Sequence, residues 1–512
     1  MAKRWIYSAL DIGSSISLRR KILYAAVIFS ISFTVKSLQA VDLAPVMYTQ
    51  DQPAAGMALE YDVQARSILD GNGVLVPKVQ NLSDTSLLEH PPGYSIFLAA
   101  VYRASRRDYF AVQFVQNVLN SISPIFLFLL VGTALSWRVG MASGIFASVW
   151  HHLSYHSNLI LPDSLCALPV LAGVYLLIKA ERKRDAGFLC YAMAGLMIGL
   201  SVWLRPNTML MGPFLALALI IVARGPRAKV RCRLVMALVS ILAFAPITVR
   251  NYLIYHRFVP VQVGMGLNLW TGIGQAGGER FGAIEYDRLA AAQDVVTYNR
   301  KDYGTHWYTP DGISRDHDRT ERSLAVIAEH PVWYAASVFR RLTHMFNYSA
   351  EASLVSKEND HRLVEVGDKD RDAMEAKLAC GIDLDPEERI QAWPSHFLSF
   401  GRGVAWLRTP ARASQRIEKE TVLPFMLLGV LAISLLSIRR AFLLFMAPAY
   451  YMVFQSLVHT EFRYTLPMHY FLFIFAATSW VLLYVLLANG AERLLGRAPA
   501  RQQPNLRPVE GP

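Results

Sequence analysis

Charged residues are scarce in this sequence: they make up 18% of its 512 residues, while 53% of the residues are hydrophobic. A water-soluble protein of this size carries more charge and spaces its apolar residues at an amphipathic period. Here the apolar residues come in blocks of about 20, long enough to cross a hydrocarbon core about 30 Å thick. The composition excludes an ordinary soluble domain and predicts an all-α polytopic membrane protein.

The sequence also has few cysteines and no nucleotide-binding motif in its glycine-rich stretch. The four cysteines form no CxxC pair, and three of them lie in or beside apolar blocks, where cysteine usually acts as a small hydrophobe. We therefore expect neither a zinc cage nor a disulfide framework. The glycines of Gly264–Gly278 form neither GxGxxG nor GxxxxGK[ST], which excludes a nucleotide loop there. The first apolar segment lacks a small-residue cleavage site and is interpreted as an uncleaved span.

Basic residues are in excess, with a formal net charge of +12, and many of them form short runs beside apolar blocks. This arrangement is the positive-inside pattern of membrane proteins, so it predicts cytoplasmic loops and gives no reason to expect nucleic acid as a partner. The runs are Arg19–Lys21, Arg182–Arg184, Arg224–Arg233 and Arg439–Arg440.

The order of apolar and polar segments predicts a bundle of about 10–12 transmembrane helices, of which ten are recognisable as spans. His330–Phe346 is apolar but charged, so it is either a further span or an interfacial helix, and we favour the interface. The predicted segments are a cytoplasmic N-terminus (1–21), an N-terminal transmembrane bundle (22–250) with a catalytic outer loop (41–110), an extracytoplasmic or interfacial region (251–421), C-terminal transmembrane helices (422–488) and a disordered cytoplasmic tail (489–512).

The stretch from about Val41 to Tyr102, behind the first span, is rich in acidic residues. Its carboxylates exceed what a connector between spans needs, since most such loops are short. We interpret it as the catalytic loop of a membrane enzyme, with a helix over Gly56–Asp70 and a second from Pro91 to about Arg103. Its acidic residues are Asp42, Asp51, Glu60, Asp62, Asp70, Asp84 and Glu89.

Five stretches, in order and all on the predicted outer side, resemble one family. They are Tyr61-x-x-x-Ala65-x-x-x-Leu69-x-Gly71; Leu88–Tyr94 (LEHPPGY); Leu204–Asn207 (LRPN); Ala245–Tyr252 (APITVRNY) with Phe258–Val261 and Gly266–Trp270; and Glu461-x-Arg463-Tyr464-x-x-Pro467. Together they resemble the GT-C-type, protein-mannosyltransferase-like superfamily, which includes the lipid A aminoarabinose transferases. The resemblance covers residues 40 to 470.

The resemblance implies transfer of a sugar from a polyprenyl-phosphate donor to a lipid, glycan or protein acceptor. It also implies that the active site faces the extracytoplasmic side of a bacterial inner membrane. Such transfer needs a carboxylate base to accept the proton of the attacking group. It also needs cations or a metal to hold the leaving phosphate. Membrane lipids are the remaining expected partners.

The family's base is an acidic residue early in the first outer loop, about four residues before the matching Tyr61. Met57 stands at that place here, which leaves Glu60, Asp62 and Asp51 as candidates, and we prefer Glu60. The alternative for each of these three residues is a solvated loop carboxylate with no catalytic role.

Glu89 is the strongest catalytic candidate by position, because the resemblance puts a metal ligand there in some relatives. The alternative is a cap of the helix that begins at Pro91–Pro92. A divalent metal is thus possible, with Glu89 as a tentative ligand. His90 stands where relatives have Lys, which makes it a candidate phosphate contact.

Asp163, near the outer end of a span, is either catalytic or a capping carboxylate. Arg205, Arg250 and Arg463 lie at outer span ends. We expect phosphate binding by one or two of these arginines, because Arg grips phosphate oxygens two at a time. The alternative is that they are snorkelling anchors. Glu461 is a candidate to orient Arg463.

His151, His152 and His156 are interpreted as an interfacial belt with Trp150 and Tyr155, in preference to metal ligands.

Three other functions stay open. A ligase or polymerase that uses the same lipid carrier would also need outer arginines, but not the Glu-x-Pro-Pro arrangement. A transporter would show broken helices in two related halves, and no such repeat is visible. A non-catalytic relative would explain Met57.

Overall fold

The computed structural model describes residues 2–47, 56–72, 81–182, 187–222, 226–285, 287–346 and 405–494. Asp51, the stretch 347–404 and the tail from residue 495 lie outside these ranges. The predictions for Asp51, for a disordered tail and for a crossing between residues 330 and 410 therefore concern residues that are not fully described.

Regular secondary structure in the described ranges is helical throughout, as predicted. The first helices build the N-terminal bundle and its outer loop: α1 (Ala2–Ala9), α2 (Leu18–Met47), α3 (Gly56–Leu69), α4 (Pro92–Ser105), α5 (Tyr109–Asn120), α6 (Ser123–Ala134), α7 (Trp137–Val149), α8 (His151–Asn158), α9 (Asp163–Arg182), α10 (Phe188–Val202), α11 (Met211–Val222) and α12 (Arg227–Tyr255). The others are α13 (Met265–Gln275), α14 (Asp287–Tyr298), α15 (Gly312–Glu329), α16 (Pro331–His344), α17 (Arg408–Leu436), α18 (Ile438–Ser456) and α19 (Leu466–Leu494).

Several of these helices are long and apolar enough to cross a membrane. By length and composition, five described segments qualify, and the bent helix α17 makes a sixth. The five are Leu18–Val41, Tyr109–Ala134, Asp163–Arg182, Arg227–Tyr255 and Phe462–Ala491. α10 and α11 are apolar but shorter. α7 and α18 lie at the two remaining predicted spans and are not among these segments. The chain is a polytopic α-helical membrane protein.

Close packing between spans depends on glycine where backbones approach. A Cβ atom added to Gly199 of α10 would lie 2.4 Å from the Ser240 carbonyl oxygen of α12. A Cβ atom on Gly429 of α17 would lie closer still to the Phe475 carbonyl oxygen of α19. Small residues let membrane helices come into backbone contact, because van der Waals packing replaces the hydrophobic driving force there. This close contact fixes the position of α10 relative to α12.

The two ends of α9 differ in charge. At its C-terminal end, Glu181 accepts hydrogen bonds from Arg233 Nε and Nη2, both at 2.8 Å. That end lies beside the basic run predicted to be cytoplasmic. Asp163 begins the helix at the opposite end, where the acidic outer loop meets the bundle.

α16 matches the predicted apolar and charged segment, but its Arg341 points into the protein. Arg341 Nε donates to the Ser456 carbonyl at 2.7 Å, and Nη1 donates to the Gly272 carbonyl at 2.5 Å. Val332 and Phe339 are 83% and 65% exposed. α16 therefore packs one face on the outer end of α18 and leaves an apolar face uncovered by the described residues.

Candidate active site

The segment Leu88–Gly93 is held in place by two backbone hydrogen bonds from distant parts of the chain. Val263 N–H donates to the Leu88 carbonyl, and Gly93 N–H donates to the Trp203 carbonyl, both at 2.9 Å. A Cβ atom at Gly93 would lie 2.4 Å from the Trp203 oxygen, so only glycine permits this approach. The extended Pro91 and the helical Pro92 then begin α4. The predicted proline helix start is confirmed.

Glu60, Glu89 and His90 meet where α3 faces this segment. His90 Nε2 lies 3.0 Å from Glu60 Oε2 and 3.6 Å from Glu89 Oε1. The Tyr61 ring stacks on the His90 ring with centroids 4.2 Å apart, which fixes the imidazole plane. One ligand atom from each of the three residues lies within 4.8 Å of the others.

The pKa values of the three groups shift in different directions, because the side chains are largely withdrawn from water and lie within hydrogen-bonding distance of one another. Burial, reinforced by the hydrogen bond and the charge of Glu60, raises the pKa of Glu89. Burial alone would raise the pKa of Glu60, but hydrogen bonds from His90 and Glu89 outweigh it and lower that pKa. Burial lowers the pKa of His90. The surroundings therefore favour the ionised form of Glu60, the protonated form of Glu89 and the neutral form of His90.

Tyr308 supports Glu89 from the opposite side. Its hydroxyl hydrogen-bonds to the Glu89 carboxyl, and burial together with the two glutamates raises the pKa of the phenol. Thr85 anchors this segment by donating to the Tyr308 carbonyl and accepting from Gly312 N–H at 2.8 Å. The stretch that contains Tyr308 and Gly312 thus packs against the segment that contains Thr85 and Glu89.

Asp163 and Arg205 form an ion pair beside this cluster. Arg205 Nη2 donates to Asp163 Oδ1, and Asp163 is 2% exposed. Asp163 Oδ2 and Arg205 Nε have no hydrogen-bond partner among the described residues.

Arg463 lies next to Arg205, across one aromatic ring. The centres of the two guanidiniums lie 5.1 and 5.2 Å from the Tyr464 ring. Arg463 Nε pairs with Glu461 Oε2 at 2.5 Å, and its Nη1 lies 3.5 Å from Met57 Sδ. Glu461 has extended backbone rather than helical, so the side chain two positions away can reach it. The predicted orienting role of Glu461 is consistent with this contact.

Asp62 does not join the cluster. It lies about 200° round α3 from Glu60, and its carboxylate accepts hydrogen bonds from the Tyr102 hydroxyl at 2.8 Å and the Tyr109 hydroxyl at 3.3 Å. Arg66 Nη2 pairs with it at 2.6 Å. These contacts make Asp62 the fully buried tie between α3, α4 and α5, so the structure gives no support to a catalytic role for it.

The described hydrogen bonds of Arg250 go to its neighbour Asn251. Its Nε and Nη2 donate to Asn251 Oδ1 at 2.9 and 2.7 Å. Asn251 Nδ2 in turn donates to the Val259 and Val261 carbonyls. Arg250 therefore supports the loop after α12, and its described hydrogen bonds do not bring it to the cluster.

The predicted interfacial belt is wrong. Trp150 is fully buried and His151 is 3% exposed. The rings of His152, His156 and His469 pack around Phe462, with centroids 4.3 to 5.8 Å from it. His152 and His156 of α8 pack against Phe462, which lies in the same turn as Arg463. The aromatic face of α8 is therefore directed into the protein.

Sequence reasoning missed Tyr308 and the bridging ring of Tyr464. Tyr308 lies more than two hundred positions from Glu89, in an aromatic stretch that no motif distinguishes. Tyr464 stood inside a recognised motif, but only the fold puts Arg205 on the same ring.

In the described residues, the fold and the site together define a helical membrane protein in which carboxylates and guanidiniums meet at one end of the bundle. Residues 89–249 match the family of dolichyl-phosphate-mannose-protein mannosyltransferases; the match begins at Glu89 and includes Asp163 and Arg205. This match over part of the chain agrees with the resemblance to the GT-C-type, protein-mannosyltransferase-like superfamily that the motifs carry.

Solved structures with similar folds include two proteins of different sizes. The oligosaccharyltransferase of Archaeoglobus fulgidus in the apo form is 12% identical, with a TM-score of 0.47 over 93% of this chain and 52% of that one. ArnT of Cupriavidus metallidurans bound to undecaprenyl phosphate is 12% identical, with a TM-score of 0.36 over 93% of this chain and 80% of that one. The chain thus spans about half the length of the archaeal structure. No curated protein matches it by sequence.

Proposed function

We propose that this protein is a membrane glycosyltransferase that moves a sugar from a polyprenyl-phosphate donor to an acceptor hydroxyl or amine at the outer face of the bacterial inner membrane. One observation carries the proposal: Glu60 and Glu89 meet at His90, beside the guanidiniums of Arg205 and Arg463. The family's description names a lipid-phosphate sugar, which agrees with this chemistry.

Glu60 is the proposed base. It is the ionised member of the cluster, and its side chain is 32% exposed, so an acceptor can reach it. In the reaction the acceptor oxygen or nitrogen bonds to the anomeric carbon and passes its proton to Glu60. The bond between that carbon and the phosphate oxygen breaks, and the electron pair leaves with the polyprenyl phosphate.

Arg205 and Arg463 are the proposed phosphate clamp. Each keeps one carboxylate partner that fixes its direction, Asp163 for Arg205 and Glu461 for Arg463. Among the described residues, the hydrogen bond found for Arg463 Nη1 goes to the weak acceptor Met57 Sδ at 3.5 Å. This group can exchange that contact for a phosphate oxygen, where charge-assisted bonds are stronger.

Glu60, Glu89 and His90 also fit a divalent metal, because two carboxylates and an imidazole within 4.8 Å of one another form a usable donor set. Binding would require Glu89 to lose its proton. When bound, such a metal would supply a Lewis acid for the leaving phosphate.

The outer location is supported by the ends of α9. Asp163 begins the helix at the site, whereas Arg182 ends it beside the basic runs that the positive-inside rule assigns to the cytoplasm. A helix of 20 residues is about 30 Å long, so the two ends can lie on opposite sides of a bilayer.

The test replaces the two glutamates separately. We expect Glu60→Gln to lower transfer from a polyprenyl-phosphate sugar by about a hundredfold or more, since a positioned base contributes 10²–10⁴-fold. Glu89→Gln should lower it less, because the amide keeps a donor toward Glu60. Glu279→Gln, on an exposed 3-10 turn, is the control and should match the wild type. Unchanged activity in both site variants would remove the assignment.

A further inference from the structure

α5 carries four amide side chains on one face, inside the segment Tyr109–Ala134, which is long and apolar enough to cross a membrane. Their spacing of three and four residues puts them on the same side of the helix. Each is at most 1% exposed, and a buried polar group is costly there unless it is hydrogen-bonded. The residues of this amide face are Gln113, Gln116, Asn117 and Asn120.

The amide face of α5 holds the chain where α8 ends. Gln113 Nε2 donates to the Asn158 carbonyl at 2.8 Å. Gln116 Nε2 donates to the Ser157 carbonyl at 2.8 Å and to the Leu159 carbonyl at 2.6 Å. The last carbonyls of a helix have no partner within it, so these amides satisfy groups that would otherwise be unpaired.

The turn after α8 leads to the phosphate side of the proposed site. Asp163 begins α9 four residues after Leu159, and its carboxylate pairs with Arg205. The two hydrogen bonds that Gln116 donates to this turn therefore help to set where α9 begins. They also help to place the carboxylate that directs Arg205.

The side-chain oxygen of Gln116 contacts the other half of the site. It accepts a hydrogen bond from the Tyr94 hydroxyl at 2.9 Å. The Tyr94 ring meets the Tyr61 ring edge to face, with centroids 5.1 Å apart, and the Tyr61 ring is stacked on His90. Since His90 contacts Glu60, this hydrogen bond anchors the rings that hold the proposed base in place.

We propose that Gln116 is a positioning residue, which sets the distance between the proposed base and the proposed phosphate clamp. The inference rests on the proposed function and deepens it. Gln116 is fully buried, so it acts through Tyr94 and the start of α9 and does not touch the substrate. In the reaction the acceptor approaches from Glu60 while the phosphate leaves toward Arg205. Both groups must be aligned in the transition state, and a displacement of about 1 Å can cost about a hundredfold in rate.

The test measures transfer of a labelled sugar by the full-length protein to membranes from a strain that lacks it. The donors are short-chain polyprenyl phosphates carrying mannose, N-acetylglucosamine or an aminopentose, and the donor that the wild type uses serves for all variants. Gln116→Met keeps the side-chain length and removes the amide. It should lower kcat about tenfold or more and change the donor KM less than about threefold, because the groups that hold the phosphate remain.

Tyr94→Phe breaks one of these hydrogen bonds by itself, because it removes the hydroxyl and keeps the ring on Tyr61. It should lower kcat about fivefold, the equivalent of one hydrogen bond. The double variant Gln116→Met/Tyr94→Phe should be no slower than Gln116→Met, because both changes remove the same bond.

Gln415→Met is the matched control. Gln415 is a buried glutamine of α17, and its Nε2 donates to the Val149 carbonyl at the end of α7, at 2.9 Å. The change removes the same kind of bond from a part of the bundle that the proposed reaction does not use. It should leave kcat and KM unchanged, even where it lowers the midpoint of thermal unfolding.

Three results would overturn the inference and leave the proposed function standing. Equal kcat values for Gln116→Met and Gln415→Met would make Gln116 a structural residue only. An unchanged kcat in Tyr94→Phe would remove the link to the base, and this result can be read even if Gln116→Met does not fold. Additive losses in the double variant would mean that Tyr94 acts without Gln116. A wild type that transfers sugar from none of the donors would instead overturn the proposed function, and the inference with it.

Discussion

The ionisation of Glu60 decides the pH range in which the site can accept a proton. Its carboxylate is stabilised against burial by the imidazole of His90, 3.0 Å away, and by Glu89. A base is active only when deprotonated, so activity falls as the pH drops through the pKa of Glu60. Because that pKa is lowered, the loss should occur at a more acidic pH than for an ordinary glutamate.

Replacing His90 should move this acid limb. His90→Leu removes a donor to Glu60, so the pKa of Glu60 rises and the limb of the kcat/KM profile moves to higher pH by about half to one unit, the equivalent of one hydrogen bond. His90→Asn retains a donor group and should move the limb less. An unchanged acid limb in His90→Leu would show that another group sets it.

Met57 is the residue at which the chain departs from the family that its motifs resemble, and it lies one turn before Glu60 on α3. Its sulfur is 3.5 Å from Arg463 Nη1, so a carboxylate at position 57 would face the same guanidinium. Adding Met57→Asp to Glu60→Gln should therefore recover part of the lost transfer. Met57→Asn in the same background should not. Kinetics of the two double variants check this, and equal rates would exclude position 57 as an alternative place for the base.

At the scale of elements, one buried carboxylate joins α14 to α15. Asp294 of α14 pairs with Arg315 and Arg319 of α15, and all three side chains are 1% exposed. Arg315 also donates to the Tyr303 carbonyl at 3.0 Å, which ties in the stretch that leads to Tyr308. These ion pairs and this hydrogen bond therefore fix the position of the stretch that carries Tyr308.

Asp294→Asn should destabilise the protein by about 3 kcal/mol or more, because removing one partner leaves two buried guanidinium charges uncompensated. Thermal unfolding in detergent measures the effect as a lower midpoint. Asp302→Asn removes a solvent-exposed partner of Arg300 and serves as the comparison. It should leave the midpoint unchanged, since exposed pairs contribute little. Equal midpoints for the two variants would contradict the structural role of Asp294.

Helix positions were predicted well from the sequence, while side-chain partners were not. The expected helix from Gly56 to Asp70 is α3, and the expected second span is the pair α5 and α6. Long apolar blocks and glycine or proline boundaries act locally, so they can be recognised without the fold. The fate of His152 and His156 could not be recognised, because Phe462 comes from a turn some three hundred positions further along the chain.

At the scale of the whole molecule, the proposed reaction requires the site and the basic loops to be on opposite sides of the membrane. In a cysteine-free background, Leu82→Cys in the outer loop should react with an impermeant maleimide added to intact cells. Arg227→Cys at the start of α12 should react only after the membrane is opened. Both side chains belong to exposed residues, so accessibility within the protein is matched. The opposite labelling pattern would end the extracytoplasmic assignment.

The sequence by itself determined the membrane class, the acidic loop behind the first span and the motifs that contain Glu89, Arg205 and Arg463, because hydropathy, charge runs and short motifs are local properties. Only the tertiary structure separated Glu60 from Asp62, paired Arg250 with Asn251 and brought Tyr308 to the cluster. Two residues on one helix differ in role when different elements pack on their two faces, and that packing joins segments hundreds of positions apart.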